Sequence, residues 1–376
     1  MLTFKEKITK NYINARGWKS NQKYLIIESD DWGAIRMPSK ETYELFYRNN
    51  IEVNKLSFDK QDAVESSEDL ISLFDVLQSV KDSNGNSAVL TAYHVMANPN
   101  FDAIEANGRK EYVYETILET YARNSQTVNS FQLIKQGMDC AIYIPQFHGR
   151  EHINVKRWME AINSDSLKEK IAFENKAIIW TGSTNDKNPY RKDYFKGFDY
   201  ESESEANEVI KIHREGLKLF KEIFGMDSIT FTAQGTVWGD HILKMLNEEG
   251  VRLIGGPQNS PNNNGGYNKT VNKFWGTKNA LGQIHWRRNC LFEPARNQNF
   301  PWVKKCMAEI EIAFRWGKPA VISAHRENFI GSIFEENRTQ SLQKLETLLK
   351  TVLKNWPDVQ FISSAQLADI MLNSKK

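Results

Sequence analysis

Two adjacent aspartates stand at the end of an apolar run near the start of the chain. Asp30 and Asp31 lie in the stretch "KYLIIESDDWG", after residues that are typical of a buried strand. Burying a carboxylate is costly unless it is paired or binds a metal. An Asx-turn or a helix cap would account for one aspartate there. Two adjacent aspartates favour chemistry, with one as a metal ligand and the other as a general base acting on water.

Two histidines four residues apart form the strongest local motif. His148 and His152 lie in "HGREH", after the apolar run "CAIYIPQF". On one helical turn both imidazoles would face the same way. With a carboxylate as third ligand they would suit a divalent metal that keeps a position open for water. Two alternatives stay open: a pair of surface histidines, and an inverted zinc-peptidase motif with Glu151 as base. Gly149 at the turn favours a strand-end site.

Further polar residues follow other predicted strands. His325 follows "KPAVIS" and could act as a general acid near neutral pH, or it could be structural. His94 follows "SAVLTAY" and could either line a substrate cleft or be a buried histidine. The stretch "QIHWRRNCLFEPAR" combines aromatic and charged residues, which suits either a sugar-binding surface or a plain interface.

The elements that must position these residues alternate between strands and helices. The predicted strands are 23–29, 87–93, 140–147, 177–182, 228–234, 251–256, 320–325 and 359–364. Helical patterns lie between most of them, which indicates a parallel sheet. About seven or eight parallel strands with intervening helices predict a distorted (β/α) barrel, whose active site would lie at the carboxyl ends of the strands.

Two polar stretches, 183–203 and 256–270, are predicted to be loops. Both lie within one strand pattern, so we expect a single domain over residues 1–376.

The bulk composition excludes several classes of protein. The chain has 376 residues, 40% of them hydrophobic, and a formal net charge of +2. This charge, spread along the chain, gives no case for a nucleic-acid or anionic-membrane partner. No apolar run approaches the roughly 20 residues that a membrane span needs. Three separated cysteines and a polar, lysine-rich start without a signal-peptide pattern predict a cytoplasmic protein.

Taken together, the motifs resemble the polysaccharide deacetylase family, carbohydrate esterase family 4, which includes chitin and chitooligosaccharide deacetylases. "SDDWG" is similar to its Asp-Asp motif, with Trp32 inserted before the glycine. "HGREH" is similar to its His-x-x-x-His motif, and His325 matches its late strand-end histidine. The resemblance implies Asp30 as base, Asp31, His148 and His152 as metal ligands, and His325 as acid. It covers most of residues 22–372, motif by motif.

The resemblance also has departures. The long gap before "HGREH" implies an insertion around 95–140, expected to be helical. The family's Arg-Pro motif is absent near "TFTAQGTVWGD", so Arg287, Arg288 or Arg326 is expected to steady the base instead. The residues expected to contact substrate are His94, Trp238, Arg288 and Arg326.

The function expected from this resemblance is metal-dependent removal of an acetyl group from an N-acetylated sugar, oligosaccharide or polysaccharide precursor. Zinc is the first choice of metal, with Co²⁺, Ni²⁺ or Mn²⁺ as other candidates. The alternatives are a catalytically inactive glycan-binding relative and the zinc peptidase.

Overall fold

The computed structural model describes residues 2–180, 193–261, 268 and 273–374. Its strands are β1 (Tyr24–Trp32), β2 (Leu90–Val95), β3 (Ala97–Pro99), β4 (Tyr114–Thr116), β5 (Tyr143–Gly149), β6 (Thr230–Phe231), β7 (Leu253–Gly255), β8 (Ile284–Trp286), β9 (Cys290–Leu291), β10 (Ala320–His325) and β11 (Gln360–Phe361). Its α-helices are α1 (Phe4–Ala15), α2 (Lys40–Arg48), α3 (Ser57–Gln61), α4 (Ser67–Gln78), α5 (Phe101–Ala106), α6 (Ile117–Ala122), α7 (Ser130–Asp139), α8 (Val155–Ile162), α9 (Leu167–Glu174), α10 (Glu203–Phe224), α11 (Asp240–Glu248), α12 (Trp302–Arg315), α13 (Glu335–Asn355) and α14 (Ser364–Asn373).

The barrel strands form two parallel sheets. The first sheet has the order β5-β2-β1-β10-β9, with β11 beside the start of β1, and the second sheet has the order β6-β7-β8. The two sheets meet where β5 reaches β6. There the Gln146 side-chain oxygen accepts hydrogen bonds from the backbone N–H groups of Ile229 and Thr230, at 3.1 and 2.9 Å. Spatial order therefore follows chain order around the barrel, as short right-handed strand-to-strand connections require.

Strand β1 shows how the sequence divides the core. Leu25 and Ile27 point outward into the large apolar cluster between the sheet and the helices. Ile26 points the other way, into a smaller cluster that includes Leu253, Trp286 and side chains of α14. Because side chains alternate along a strand, Glu28 and Asp30 are on the same side as Ile26.

The structure confirms the predicted fold class and differs in some elements. Residues 177–180 are not a strand: Ala177, Ile178 and Ile179 are buried in clusters beside the barrel, while 181–182 lie outside the described residues. A buried apolar run of this length fits a loop packed under helices as well as a strand. Strands β8 and β9 were not predicted, because two or three residues give no periodicity to detect.

The predicted insertion and loops are partly visible. Residues 95–140 hold α5, α6 and α7, as expected for a helical insertion, and also the antiparallel pair β3-β4. The predicted loops 183–203 and 256–270 fall partly outside the described residues. No described helix combines the length and apolar character that crossing a bilayer requires.

Candidate active site

The aspartate doublet sits on a bulge at the end of β1. The register between β1 and β2 shifts between Ser29 and Trp32, and Asp31 has a φ of +75°. In a regular strand Asp30 and Asp31 would point to opposite faces. A bulge re-aims a side chain, and the left-handed conformation of Asp31, costly for a residue with a Cβ, accompanies the turn. Both carboxylates interact electrostatically with His325, so they lie at one site.

Asp30 is held by an arginine from the connection between β8 and β9. The Arg288 guanidinium donates to both carboxylate oxygens of Asp30, at 2.5 and 2.6 Å. Its Nε donates to Glu28 Oε2 at 2.5 Å. Burial would raise the pKa of Asp30, but the adjacent Arg288 charge outweighs it and the pKa is lowered. Arg288 is thus the arginine, of the three considered, that contacts the predicted base.

Asp31 lies beside both histidines of "HGREH". Its Oδ1 is 2.8 Å from His152 Nε2 and 3.4 Å from His148 Nε2. The possible ligand atoms of these three residues all lie within 4.8 Å of one another. His148 Nδ1 is 2.9 Å from the backbone oxygen of Thr232. Since a carbonyl only accepts, Nδ1 carries the proton, and Nε2 is the ring atom that faces Asp31 and is available as a ligand. The donor set therefore fits a divalent cation.

An arginine that the sequence did not single out borders this group. Arg36 Nη2 lies 3.3 Å from Asp31 Oδ2 and 3.4 Å from His152 Nδ1. Its guanidinium also lies over the Phe195 ring, at 4.1 Å from the centroid. Burial lowers the pKa of His152 to about 4, although Asp31 opposes the shift. His152 is therefore neutral near pH 7, as a metal ligand must be.

His325, at the end of β10, has a carboxylate partner. Its Nδ1 is 2.5 Å from Glu293 Oε1, and Asn328 donates to the other Glu293 oxygen at 2.7 Å. Burial would lower the pKa of His325, but the Glu293 charge outweighs it and raises the pKa to about 10. The ring is therefore charged at neutral pH and can donate a proton.

Asp30 and His325 open onto one cavity of about 400 Å³. Its other lining residues include Lys10, Thr232, Gly255 and Arg288. We call this space the Asp30 cavity. A proton acceptor and a proton donor thus face the same volume, next to a group that can hold a metal. The arrangement suits hydrolysis of an amide or ester, in which a water is deprotonated and a leaving group protonated.

Three of the predicted substrate-binding residues lie elsewhere. His94, Trp238 and Arg326 each have 0% of their surface exposed, so none of them has access to a substrate. Burial lowers the pKa of His94 to about 4, and His94 Nε2 is 2.7 Å from the Tyr143 hydroxyl. Trp238 packs in the large core cluster.

Arg326 has a structural partner set. It donates to Asp62 at 3.0 Å and to Glu65 at 2.9 Å. An arginine beside the predicted acid reads as a substrate contact in sequence, but the short helical turn after β10 aims its side chain inward.

The "HGREH" motif is a strand end rather than part of a helix. His148 and Gly149 close β5, and α8 starts only at Val155. Glu151 accepts from Arg150 Nε at 2.7 Å and from the Tyr112 hydroxyl at 3.0 Å. Both bonds go to Oε1 of Glu151, so this carboxylate is held by Arg150 and Tyr112 rather than by the Asp31 group, which disfavours the peptidase base.

Gln234 lies where the family's Arg-Pro motif was expected. Its side chain holds the loop that carries "HGREH" in place. Its Nε2 donates to the backbone oxygens of His148 and Glu151 at 2.7 and 2.8 Å, and its Oε1 accepts from Gly197 N–H at 3.0 Å.

Sequence reasoning missed Arg36, Glu28 and the pairing of Glu293 with His325. Glu28 had a usable signal, since an acid inside a buried strand needs a partner. Glu293 follows a strand too short to recognise, and nothing in the local pattern around Arg36 marks it.

Comparisons with known proteins concern the fold. No family model matches the sequence, and no curated protein matches it. Of the solved structures, a protein of Parabacteroides distasonis described as a glycoside hydrolase/deacetylase has a TM-score of 0.50 at 7% identity, covering 95% of this chain and 73% of that one. One of Mycobacterium smegmatis described as a polysaccharide deacetylase has a TM-score of 0.42 at 11% identity, covering 95% and 93%.

A 4-α-glucanotransferase of Thermococcus litoralis has a TM-score of 0.45 at 9% identity. This chain is covered to 95% but spans only 41% of that protein's length. The likeness to the Parabacteroides protein shows a shared (β/α)-barrel fold. The description of the Parabacteroides protein, a glycoside hydrolase/deacetylase, agrees with the motif resemblance.

Proposed function

We propose that the chain is a metal-dependent hydrolase that removes an acetyl group from an N-acetylated sugar. The observation that carries the proposal is the convergence of Asp30 and His325 on one cavity beside Asp31, His148 and His152. Each predicted acid and base has its own oppositely charged partner, Arg288 for Asp30 and Glu293 for His325. Such pairs hold two titrating groups in the different protonation states that acid–base catalysis requires.

The metal would be held by Asp31, His148 and His152. A set of two histidines and one carboxylate makes Zn²⁺ our first choice, with Co²⁺, Ni²⁺ or Mn²⁺ as candidates. A bound divalent cation would polarise the acyl carbonyl and favour deprotonation of water.

The remaining chemistry belongs to the chain. Asp30, kept ionised by Arg288, accepts the proton of the attacking water. His325, charged at neutral pH, donates a proton to the amine as it leaves. Thr232 lines the cavity beside them and fixes the His148 ring through its backbone oxygen. Among the predicted substrate residues, Arg288 keeps a place at the cavity, where its contacts orient Asp30.

The pair Asp30→Asn and Asp31→Asn tests the proposal. Asp30→Asn should lower acetate release from N-acetylated sugars by roughly 10²–10⁴-fold, the contribution of a general base, while metal content measured by atomic absorption stays unchanged. Asp31→Asn should lose both metal and activity, because it removes a ligand. Undiminished acetate release in Asp30→Asn would refute the assignment of the base.

The same assays decide between the alternatives. A wild-type protein with full metal content that releases acetate from none of the sugars would be the glycan-binding relative. Peptide cleavage that Glu151→Gln abolishes would identify the zinc peptidase, although the Arg150 and Tyr112 contacts of Glu151 argue against that outcome. The cytoplasmic location remains a proposal, which fractionation of the native cell would test.

A further inference from the structure

Helix α1 carries its apolar side chains on the outside of the molecule. Phe4, Ile8 and Tyr12 follow one another at four-residue spacing, so they form one stripe along the helix. Their exposed fractions are 80%, 55% and 58%. A surface helix of a globular protein normally turns its apolar stripe to the core. We call these three residues the α1 stripe.

The inner side of α1 is attached largely by polar groups. Lys10 Nζ lies 3.0 Å from Glu309 and donates to the backbone oxygen of Asn289 at 2.7 Å. Asn14 accepts from the Asn289 amide at 2.9 Å, and Asn11 accepts from Trp316 Nε1 at 2.8 Å. The helix is therefore held in place with its stripe facing outward.

The N-terminus of α1 reinforces this rigidity. Thr3 and Glu6 form a capping box, in which each side chain accepts from the backbone N–H of the other residue. Glu6 is the only acidic residue of α1, and its carboxylate is engaged by Thr3 at 2.7 and 2.9 Å. Two exposed lysines, Lys5 and Lys7, stand on this part of the helix against the single carboxylate of Glu6.

Lysines flank the stripe on both sides. At 100° per residue, Lys5 and Lys7 fall on opposite borders of the stripe, and both are exposed. At the far end of the helix, Arg16 lies over the Phe274 ring, which also packs edge-on against Tyr12. An apolar stripe bordered by cations is the pattern of a helix that lies in the interface of an anionic membrane.

We propose that α1 is a docking surface for an anionic lipid bilayer, with the α1 stripe inserted among the lipids and Lys5 and Lys7 at the headgroups. The net charge of +2 gave no case for such a partner, but membrane attraction depends on charges close to the surface rather than on the total. Self-association through the same stripe would place Lys5 and Lys7 of both copies in one interface, because a two-fold interface pairs identical patches. Anionic lipid neutralises them instead.

The docking surface is connected to the Asp30 cavity. Lys10, in the middle of α1, lines that cavity together with Asp30 and His325. Docking would hold the cavity close to the bilayer, where an acetylated sugar carried on a lipid would be presented. This consequence rests on the proposed function, whereas the docking itself does not.

Vesicle sedimentation tests the proposal without using enzymatic activity. The full chain should sediment with vesicles of phosphatidylcholine and phosphatidylglycerol, and much less with vesicles of phosphatidylcholine alone. The variant with Phe4→Ser, Ile8→Ser and Tyr12→Ser should bind roughly tenfold or more weakly, as should Lys5→Glu combined with Lys7→Glu. A matched control with Ile71→Ser, Val128→Ser and Leu167→Ser, which have 48%, 52% and 65% exposure, should bind like the wild type.

Two outcomes would overturn the proposal. One is a wild-type protein that sediments with neither kind of vesicle while its circular dichroism shows it folded. The other is a dimer in light scattering that the α1 stripe variant dissociates, which would make a second copy of the chain the occupant. Vesicle binding without acetate release would leave the docking established and refute the deacetylase function alone.

Discussion

The long strands of the first sheet supply the candidate base, acid and metal ligands of the site, whereas the groups that orient Asp30 and His148 come from the second sheet and its connections. Asp30 and Asp31 end β1, His148 lies near the end of β5, and His325 ends β10. From the other side come Arg288, which clamps Asp30, and the backbone oxygen of Thr232, which fixes the His148 ring.

The difference in strand length explains this division. Strands β1, β2, β5 and β10 have six to nine residues, whereas β6, β7 and β8 have two or three. Long paired strands give a rigid platform for groups that must be placed accurately. Short strands leave room for connections that reach across the barrel mouth. A single long side chain, such as that of Arg288, or a single backbone carbonyl, such as that of Thr232, can then orient a residue of the site.

Among these changes, Arg288→Met should have the largest effect on stability and turnover. The change leaves Asp30 and Glu28 buried without their shared cation, so the free energy of unfolding should fall by about 3–5 kcal/mol. Acetate release should fall roughly 100-fold in kcat, because Asp30 loses its fixed position. Urea denaturation and steady-state kinetics measure the two effects.

Arg252→Met is a suitable control, since Arg252 bonds to Asn247 at the surface. Activity that survives in Arg288→Met would show that the second sheet does not orient the base.

Glu293→Gln should change the pH dependence of turnover. Without the Glu293 charge, burial lowers the pKa of His325, so the proton donor is lost at lower pH. The alkaline limb of the kcat profile, expected near pH 10 in the wild type, should move down by roughly one to three pH units. A profile measured from pH 6 to pH 11 shows the shift.

The pair of His325 and Glu293 also contributes to the free energy of unfolding, and this contribution depends on pH in a defined direction. The pKa of His325 is raised from 6.5 to about 10, so its stabilisation is complete below about pH 6.5 and is lost as the pH rises to about 10. Glu311→Gln, which alters an exposed pair with Arg315, should leave both profiles unchanged. If the alkaline limb of the kcat profile does not move in Glu293→Gln, then His325 is not the group whose titration produces that limb.

Gln234→Ala should affect turnover least and stability measurably. It leaves the buried backbone oxygens of His148 and Glu151 and the N–H of Gly197 without their partner, at a cost of about 2–4 kcal/mol in total. Metal affinity, measured by competition with a chromogenic chelator, should weaken because the loop carrying His152 loosens.

Gln22→Ala, at a surface hydrogen bond to Asp358, is the control. Unchanged metal affinity in Gln234→Ala would show that the loop holds His152 without help from the second sheet.

Much of the fold and the placement of the candidate site residues could be predicted from the sequence. The aspartate doublet, the two histidines of "HGREH" and His325 all follow long apolar runs, and the structure brings these residues to one end of the barrel. This prediction of placement worked because the carboxyl ends of parallel strands meet at one edge, while the chemical roles stay predictions. It failed for residues 177–180, where an apolar run packs as a loop, and for His94, Trp238 and Arg326, whose side chains point inward.

By itself, the sequence determined which residue types are available for catalysis and the alternation of strands and helices. Only the tertiary structure decided that Arg288 steadies Asp30, that Glu293 charges His325, and that a bulge brings Asp31 to the histidines beside Asp30. The sequence could not decide these points, because a partner some 30 to 260 residues away leaves no local pattern. The outward apolar face of α1 is of the same kind. The four-residue spacing of the α1 stripe can be seen in the sequence. The direction in which the stripe points depends on how the rest of the chain packs against α1.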